Sequence, residues 1–223
     1  MIIGQSFAQS SGIRFIDKST LTYGVSVTSQ NVNVPACIDN DLLIAVIMHR
    51  SALTPQAGWT LVDSDSATGS GITQYLSVYK KTCAGDSGDS TTWTQSSAGR
   101  FAVFITAYRK IGDVAAVIDY DKTHLDAAAT SPYATAISTA DADGQMGVAY
   151  ATYIFAANDA LVTQMDFVIT AGGGVQDTPV NVVMNRLCGG HVPLDNTEDT
   201  TGTVSTTNPG SDGGWVAVSL IIG

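Results

Sequence analysis

The sequence predicts an all-β protein, an antiparallel β-sandwich, from three observations. Charged residues make up only 13% of the chain, against roughly 25% in ordinary soluble proteins, so the highly charged surfaces typical of helices are missing. Every acidic residue except Glu198 is an aspartate, which suits turns and strand edges better than helix interiors. Several segments alternate apolar and polar residues with the period of two that a strand requires. The 223 residues can form a single sandwich domain spanning 1–223.

Alternating or short apolar segments predict a series of strands in the first half of the chain. The run from Leu42 to Met48 is too short for a globular helix and rich in β-branched residues, which predicts a strand covered on both faces. Within TQYLSVYKKT, Tyr75, Ser77 and Tyr79 are expected on one face, and Leu76 and Val78 on the other. The predicted strands are, in chain order, IRFID (13–17), LTYGVSV (21–27), Leu42 to Met48, the segment that Trp59 opens, TQYLSVYKKT (73–82), STTWTQ (90–95) and GRFAVFITAY (99–108).

The second half of the chain partly repeats the first. VYKKTCAG (78–85) returns as VMNRLCGG (183–190), DNDLLIAVIMHRS (39–51) aligns with DADGQMGVAYATY (141–153), and AGRFAVFITA (98–107) aligns with the C-terminal GGWVAVSLII. We therefore predict two similar four-stranded halves, about 39–110 and 141–223, which form about eight main strands in a jelly-roll-like arrangement.

The repeat also makes predictions about individual residues. Cys83 and Cys188 are expected at equivalent strand ends, with Gly85 and Gly190 opening the turns that follow. Val78 and Val183 are expected to face the core. A metal or redox role for the two cysteines is the alternative.

Cysteine usage and charge limit the compartment and the partners. Three cysteines without a CxxC motif predict neither a disulfide scaffold nor a zinc site, so all three are expected to be reduced and buried. The N-terminal MIIGQSFAQSSG lacks the pattern of a signal peptide, and no apolar run is long enough for a membrane helix. A soluble protein made in a cytosol is expected, without membrane contact. A net charge of −10 argues against nucleic-acid binding, which requires clustered Lys and Arg.

Catalytic motifs are weak. GDSG (85–88) resembles the nucleophile turn of trypsin-like proteases, but His49 is the only upstream histidine and too little chain precedes Ser87 for such a barrel. A hairpin loop is the favoured interpretation. AGGGV (171–175) lacks the lysine of a phosphate-binding loop and is also predicted to be a loop. The abundant aspartates single out no glycosidase pair. No catalytic or cofactor-binding residue and no cofactor are predicted.

Aspartates and aromatic residues offer two further candidate sites. The pairs Asp63/Asp65 and Asp141/Asp143 have the spacing of a calcium-loop start but lack its closing glutamate, so solvated turns are predicted rather than metal sites. Core packing is predicted for the larger aromatic side chains, with stacking on a sugar as the alternative. These aromatic residues are Trp59, Trp93, Trp215, Tyr75 and Tyr79.

Four segments together resemble a known family. DLLIAVIMHR, AGWTLV, TQYLSVYKK and TWTQSSAGRFAVFITAY are similar, in this order, to a β-sandwich family found on bacteriophage virions and in prophage-encoded tail and fibre proteins. The resemblance covers about 39–108 and extends to GGWVAVSLIIG. It implies a virion surface module without catalytic activity that assembles as an oligomer. The shared residues are core and turn residues, so no functional residue is carried over.

The resulting hypothesis is a non-enzymatic structural protein on the surface of a phage particle, as a capsid decoration or as a tail or fibre component. Its expected partners are other virion proteins and further copies of itself, for example in a trimer. It would be made and assembled in the host cytoplasm. A host-receptor or carbohydrate-binding adhesin that recognises a surface glycan is the alternative, followed by a polysaccharide-degrading tail enzyme.

Overall fold

The computed structural model describes residues 12–69, 71–128, 133–134, 145–153, 167–169, 175–176, 186–193, 204–206 and 213–223. All regular secondary structure in these residues is β-strand. None of them forms a helix that could cross a membrane.

Fifteen strands are present in the described part of the chain. In chain order they are β1 (Ile13–Lys18), β2 (Thr22–Asn33), β3 (Leu42–His49), β4 (Leu53–Thr54), β5 (Thr60–Gly69), β6 (Ile72–Thr82), β7 (Ser90–Lys110), β8 (Val117–Ala128), β9 (Tyr133–Ala134), β10 (Met146–Tyr153), β11 (Phe167–Ile169), β12 (Val175–Gln176), β13 (Arg186–Pro193), β14 (Val204–Thr206) and β15 (Gly213–Ile222).

The strands form two main antiparallel sheets. Sheet A has seven strands in the order β1-β7-β3-β6-β5, with β2 and β4 also paired to β7. Sheet B has five strands in the order β12-β13-β10-β15-β8, and β11, β14 and β9 form a small third sheet. The predicted all-β class and antiparallel sandwich are confirmed. Two-residue strands such as β4, β9 and β12 bring the strand number above the eight main strands expected, and jelly-roll connectivity stays a prediction.

The main core lies between sheets A and B. Every side chain of β3 is buried, and alternate residues from Leu42 to Met48 point towards sheet B because successive side chains of a strand alternate between faces. Tyr150, Val218 and other alternate residues of β10 and β15 meet them from the opposite side. The prediction that Val78 faces the core is confirmed, whereas Val183 lies outside the described residues.

A second core covers the outer face of sheet A. The first part of the 21-residue β7 pairs with the second part of β2, and these strands carry Trp93 and Val32 over Leu43, Ala45 and Ile47 of β3. Both faces of β3 are therefore covered, as its unbroken apolar sequence predicts.

The two central strands have similar neighbours. β3 lies between β6 and β7, and β10 lies between β13 and β15. The predicted equivalence of the two cysteines is wrong, however. Cys83 follows β6 and donates its N–H to Asp41, just before β3 begins, whereas Cys188 lies within β13 opposite Ala151, near the end of β10. Gly190 is likewise inside β13 rather than in a turn. A short sequence match cannot distinguish this register from one shifted by several residues.

The prediction that the cysteines are reduced is also corrected. Cys37 and Cys83 form a disulfide with a Cα–Cα distance of 6.5 Å. The two residues are 46 positions apart and belong to no recognisable motif, so only the fold brings them together. The bond links the segment before β3 to the end of β6.

The predicted turn at Asp63 and Asp65 is instead part of β5, the edge strand of sheet A. Each carboxylate accepts the backbone N–H of the following serine at 2.8 Å. Each also contacts a basic side chain of β8, the edge strand of sheet B: Asp63 pairs with Lys122 at 2.7 Å, and Asp65 lies 2.8 Å from Nδ1 of His124. The two sheets are therefore joined along this side by these two side-chain contacts. Asp141 and Asp143 lie outside the described residues.

Candidate binding cleft

An open cavity lies at one end of the sandwich. It has a volume of about 590 Å³ and is formed by residues 38–41, which lead into β3, and residues 109–114, which follow the end of β7. We call this cavity the end cleft. Ile38 and Val114 are its two exposed apolar residues, about half accessible to solvent. Loops at the end of a rigid sandwich are common positions for binding sites.

A buried carboxylate organises the first wall, residues 38–41. Asp41 is almost completely buried, and its Oδ2 accepts the N–H of Ile38 at 2.9 Å. Asn40 adopts a left-handed backbone conformation with φ of 75°, which asparagine tolerates better than most residues. Its N–H binds the carbonyl of Cys83. The wall is therefore a tight turn anchored on the end of β6.

The second wall is the turn that follows β7. Gly112 has φ of 81°, a conformation that a side chain would strain. Asp113 accepts the N–H of Val114 at 2.8 Å and pairs with Lys110 at 3.2 Å. These two contacts hold the pKa of Asp113 below its usual value. The carboxylate is consequently ionised at neutral pH and keeps the turn closed.

Arg109 connects the two walls. Its guanidinium donates from Nε and Nη2 to the two oxygens of Asp41, each at 2.7 Å. The hydrogen bonding to Asp41 raises the pKa of Arg109. A paired, bidentate geometry of this kind restricts both side chains, so the floor of the cleft is rigid.

A second cavity of about 440 Å³ adjoins the end cleft and shares Val114 with it. Lys80 and Lys81 line this neighbour, and Lys81 pairs with Asp86. The two cavities together contain four of the chain's ten cationic residues. This end therefore has nearly balanced charge in an otherwise acidic protein, and offers hydrogen-bond donors and acceptors beside small apolar contacts.

The aromatic residues for which the sequence left sugar stacking as an alternative do not line the end cleft. Trp59 and Trp93 pack edge to face in the second core, and Trp215 is also buried, which confirms core packing for all three. Tyr79 is buried against Trp93, and this burial raises its pKa. Tyr75 is partly exposed and stacks on His49 with ring centroids 5.1 Å apart. Tyr75 and Tyr79 therefore do not form an exposed platform for a sugar.

The GDSG segment is not the predicted hairpin, because β3 lies between β6 and β7 in sheet A. Ser87 Oγ accepts the N–H of Cys37 at 3.3 Å, so it supports the disulfide segment. His49 pairs with a different serine: Nδ1 donates to the carbonyl of Ser51 at 2.8 Å, and Nε2 accepts from Ser77 Oγ at 2.8 Å. Gly172–Gly174 lie outside the described residues.

The contact between Ser77 and His49 lies in the interior of the protein. His49 is 4% exposed, and burial lowers its pKa to about 4. Ser77 is similarly buried and shares a hydrogen bond of 2.7 Å with Ser64. The neutral imidazole thus satisfies the Ser77 hydroxyl, which in turn accepts from Ser64 on the neighbouring strand.

Sequence reasoning missed Asp41, Arg109 and the turn at 111–114. Asp41 and Arg109 are 68 residues apart, and neither belongs to a motif. The one local signal was the polar DND preceding an apolar strand, which marks a turn without naming its partner. Among the described residues, no group of three or more His, Cys, Asp or Glu side chains could hold a metal ion.

Comparison of the chain with models of known protein families, with characterised proteins and with solved structures finds no match.

Proposed function

We propose that this protein is a non-enzymatic structural protein of a bacteriophage virion, displayed on the particle surface and bound to a neighbouring protein through the end cleft. The observation that carries the proposal is the cleft itself, in which a bidentate ion pair at the end of a rigid sandwich holds two short turns. The family resemblance of the core segments supplies the phage context.

The packing of the sandwich favours the end over the faces of sheet A and over the β5–β8 side as the place of contact. Both faces of β3 are filled by cores, and the edge strands β5 and β8 are joined by the Asp63–Lys122 ion pair and by the hydrogen bond between Asp65 and His124. An edge whose backbone groups are occupied is protected from strand addition. The exposed Ile38 and Val114 are flanked by charged groups on both sides, an arrangement of apolar centre and polar rim found in protein interfaces.

The particle test uses proteomics and microscopy. We expect the protein in gradient-purified particles from cells that encode it, and antibody-gold labels at one defined position of the particle. The double variant Ile38→Glu/Val114→Glu should lose incorporation at least 10-fold. Val25→Glu, at another half-exposed valine on β2, should incorporate normally. Absence of the protein from purified particles would refute the proposal.

A host-glycan adhesin is the second candidate. The end cleft has a volume typical of small-ligand sites, and its carboxylates, amide and guanidinium could bind sugar hydroxyls. Binding on a glycan array that is lost in Ile38→Glu/Val114→Glu and retained in Val25→Glu would favour this function. Binding to particles without binding to glycans would favour the structural one.

A further inference from the structure

The Cys37–Cys83 disulfide lies directly against the end cleft. Cys37 immediately precedes the first wall, residues 38–41, and Cys83 immediately follows β6. Both sulfur-bearing residues are buried in the second core. The disulfide is thus the covalent connection between the wall and the body of sheet A.

Hydrogen bonds between the first wall and residues 83–85 also require the wall to be aligned with the end of β6. The N–H of Asn40 donates to the Cys83 carbonyl at 3.0 Å, and the N–H of Cys83 donates to the Asp41 carbonyl at 2.8 Å. Asp39 accepts the N–H of Gly85 at 2.8 Å. Ile38 contributes little apolar anchoring because its side chain is mostly exposed. Without the disulfide, these exchangeable hydrogen bonds and the Asp41–Arg109 ion pair would have to hold the wall.

We infer that the oxidation state of Cys37 and Cys83 controls the order of the first wall, and with it the affinity of the end cleft, which is lower during assembly in the host cytoplasm and higher once the disulfide has formed. The role in binding rests on the proposed function. In the reducing cytosol the dithiol form leaves the wall loosely held. After release into an oxidising medium, the disulfide fixes the wall against β6.

The chemistry requires an electron acceptor, which we identify as an oxidised low-molecular-weight disulfide. One cysteine thiolate attacks a sulfur of this molecule, forms a mixed disulfide and releases one small thiol. The second cysteine thiolate then attacks the protein sulfur and releases the other. The protein loses two electrons and two protons, and the small disulfide gains both as two thiols.

The test measures amide hydrogen exchange by NMR in the air-oxidised protein, in the protein kept in dithiothreitol, and in the double variant Cys37→Ser/Cys83→Ser. We expect at least 10-fold faster exchange at Asn40 and Cys83 in the reduced protein, and at the same two backbone positions in the double variant. Val46 and Phe104, in the main core, exchange through global unfolding and should stay slower than Asn40 and Cys83 in the reduced protein, because only the wall opens locally. Cys188→Ser leaves the disulfide intact and should behave like the oxidised parent.

Equal exchange in the oxidised and reduced proteins would overturn the inference, as would alkylation of both Cys37 and Cys83 in the air-oxidised protein. Particle binding is measured separately on the same samples. A redox effect on exchange without particle binding in any sample would refute the proposed function while supporting redox control of the wall. Equal binding by the oxidised and reduced proteins would refute redox control and leave the proposed function standing.

Discussion

Asp41 and Arg109 form a two-point ion pair that joins the start of β3 to the end of β7, with two hydrogen bonds of 2.7 Å. The carboxylate is 1% exposed, whereas a third of the guanidinium side chain reaches solvent. The same carboxylate accepts the N–H of Ile38. One buried group thus serves the ion pair and the cleft wall together.

Asp41→Asn should therefore destabilise the protein by about 3 kcal/mol, because breaking a buried pair leaves the partner charge uncompensated. Arg109→Lys should cost about 1 kcal/mol, since lysine keeps the charge but cannot make the bidentate contact. Urea denaturation followed by tryptophan fluorescence measures both. Lys110→Met removes the more exposed pair with Asp113 and should change stability little. A parent-like Asp41→Asn variant would contradict this account of the cleft.

Loss of the Cys37–Cys83 bond should lower the free energy of unfolding by about 4 kcal/mol, because the bond closes a long loop in the unfolded chain. Guanidinium denaturation should show the same loss for Cys37→Ser/Cys83→Ser and for the parent in reductant. Unchanged stability of the parent in reductant would count against the disulfide.

Val78→Asp should unfold the domain. Val78 is fully buried between the sheets, where an unpaired carboxylate costs about 5 kcal/mol or more. Val25→Asp, at a half-exposed position on β2, is the matched control and should be nearly neutral. Circular dichroism and thermal melts of the two variants provide the comparison. A cooperative, parent-like melt of Val78→Asp would show that the core is assigned wrongly.

Stability should decrease on mild acidification because of His49. Its pKa is about 4 in the folded protein and about 6.5 in an unfolded chain, so the unfolded state takes up the proton first. The contribution of His49 is complete above pH 6.5 and declines by about 3 kcal/mol as the pH falls to 4, below which it stays constant. Denaturation from pH 7 to 4 tests this. The His49→Gln variant should be less stable at pH 7, but its free energy of unfolding should lack the decrease that His49 causes as the pH falls.

Asp63→Ala/Asp65→Ala should increase self-association. The change removes the acceptors of two backbone N–H groups and the partners of Lys122 and His124, which leaves the β5 edge open to another strand. Light scattering after size exclusion should detect larger species than in the parent. The control is Asp89→Ala, which changes an exposed loop residue. An unchanged mass in the double variant would show that these carboxylates do not protect the edge.

The sequence by itself determined the strand class and much of the burial. The apolar run of β3, the alternation of β6 and the burial of the three tryptophans all follow from local patterns, because a side chain's face depends on its position within its own strand. The position of a strand in the sheet does not follow from such patterns. β6 and β7 are consecutive in sequence but separated by β3.

Only the tertiary structure decided which distant residues meet. Cys37 with Cys83, Asp41 with Arg109 and Asp63 with Lys122 are separated by 46, 68 and 59 residues respectively. Each contact depends on strand order and on register, and a register shift of one residue would move every side chain to the other face of its sheet. A pattern with period two looks identical after a shift of two or eight residues. VYKKTCAG and VMNRLCGG therefore suggested that Cys83 and Cys188 are equivalent. The pairing of β13 with β10 instead gives the two cysteines different positions along their neighbouring strands.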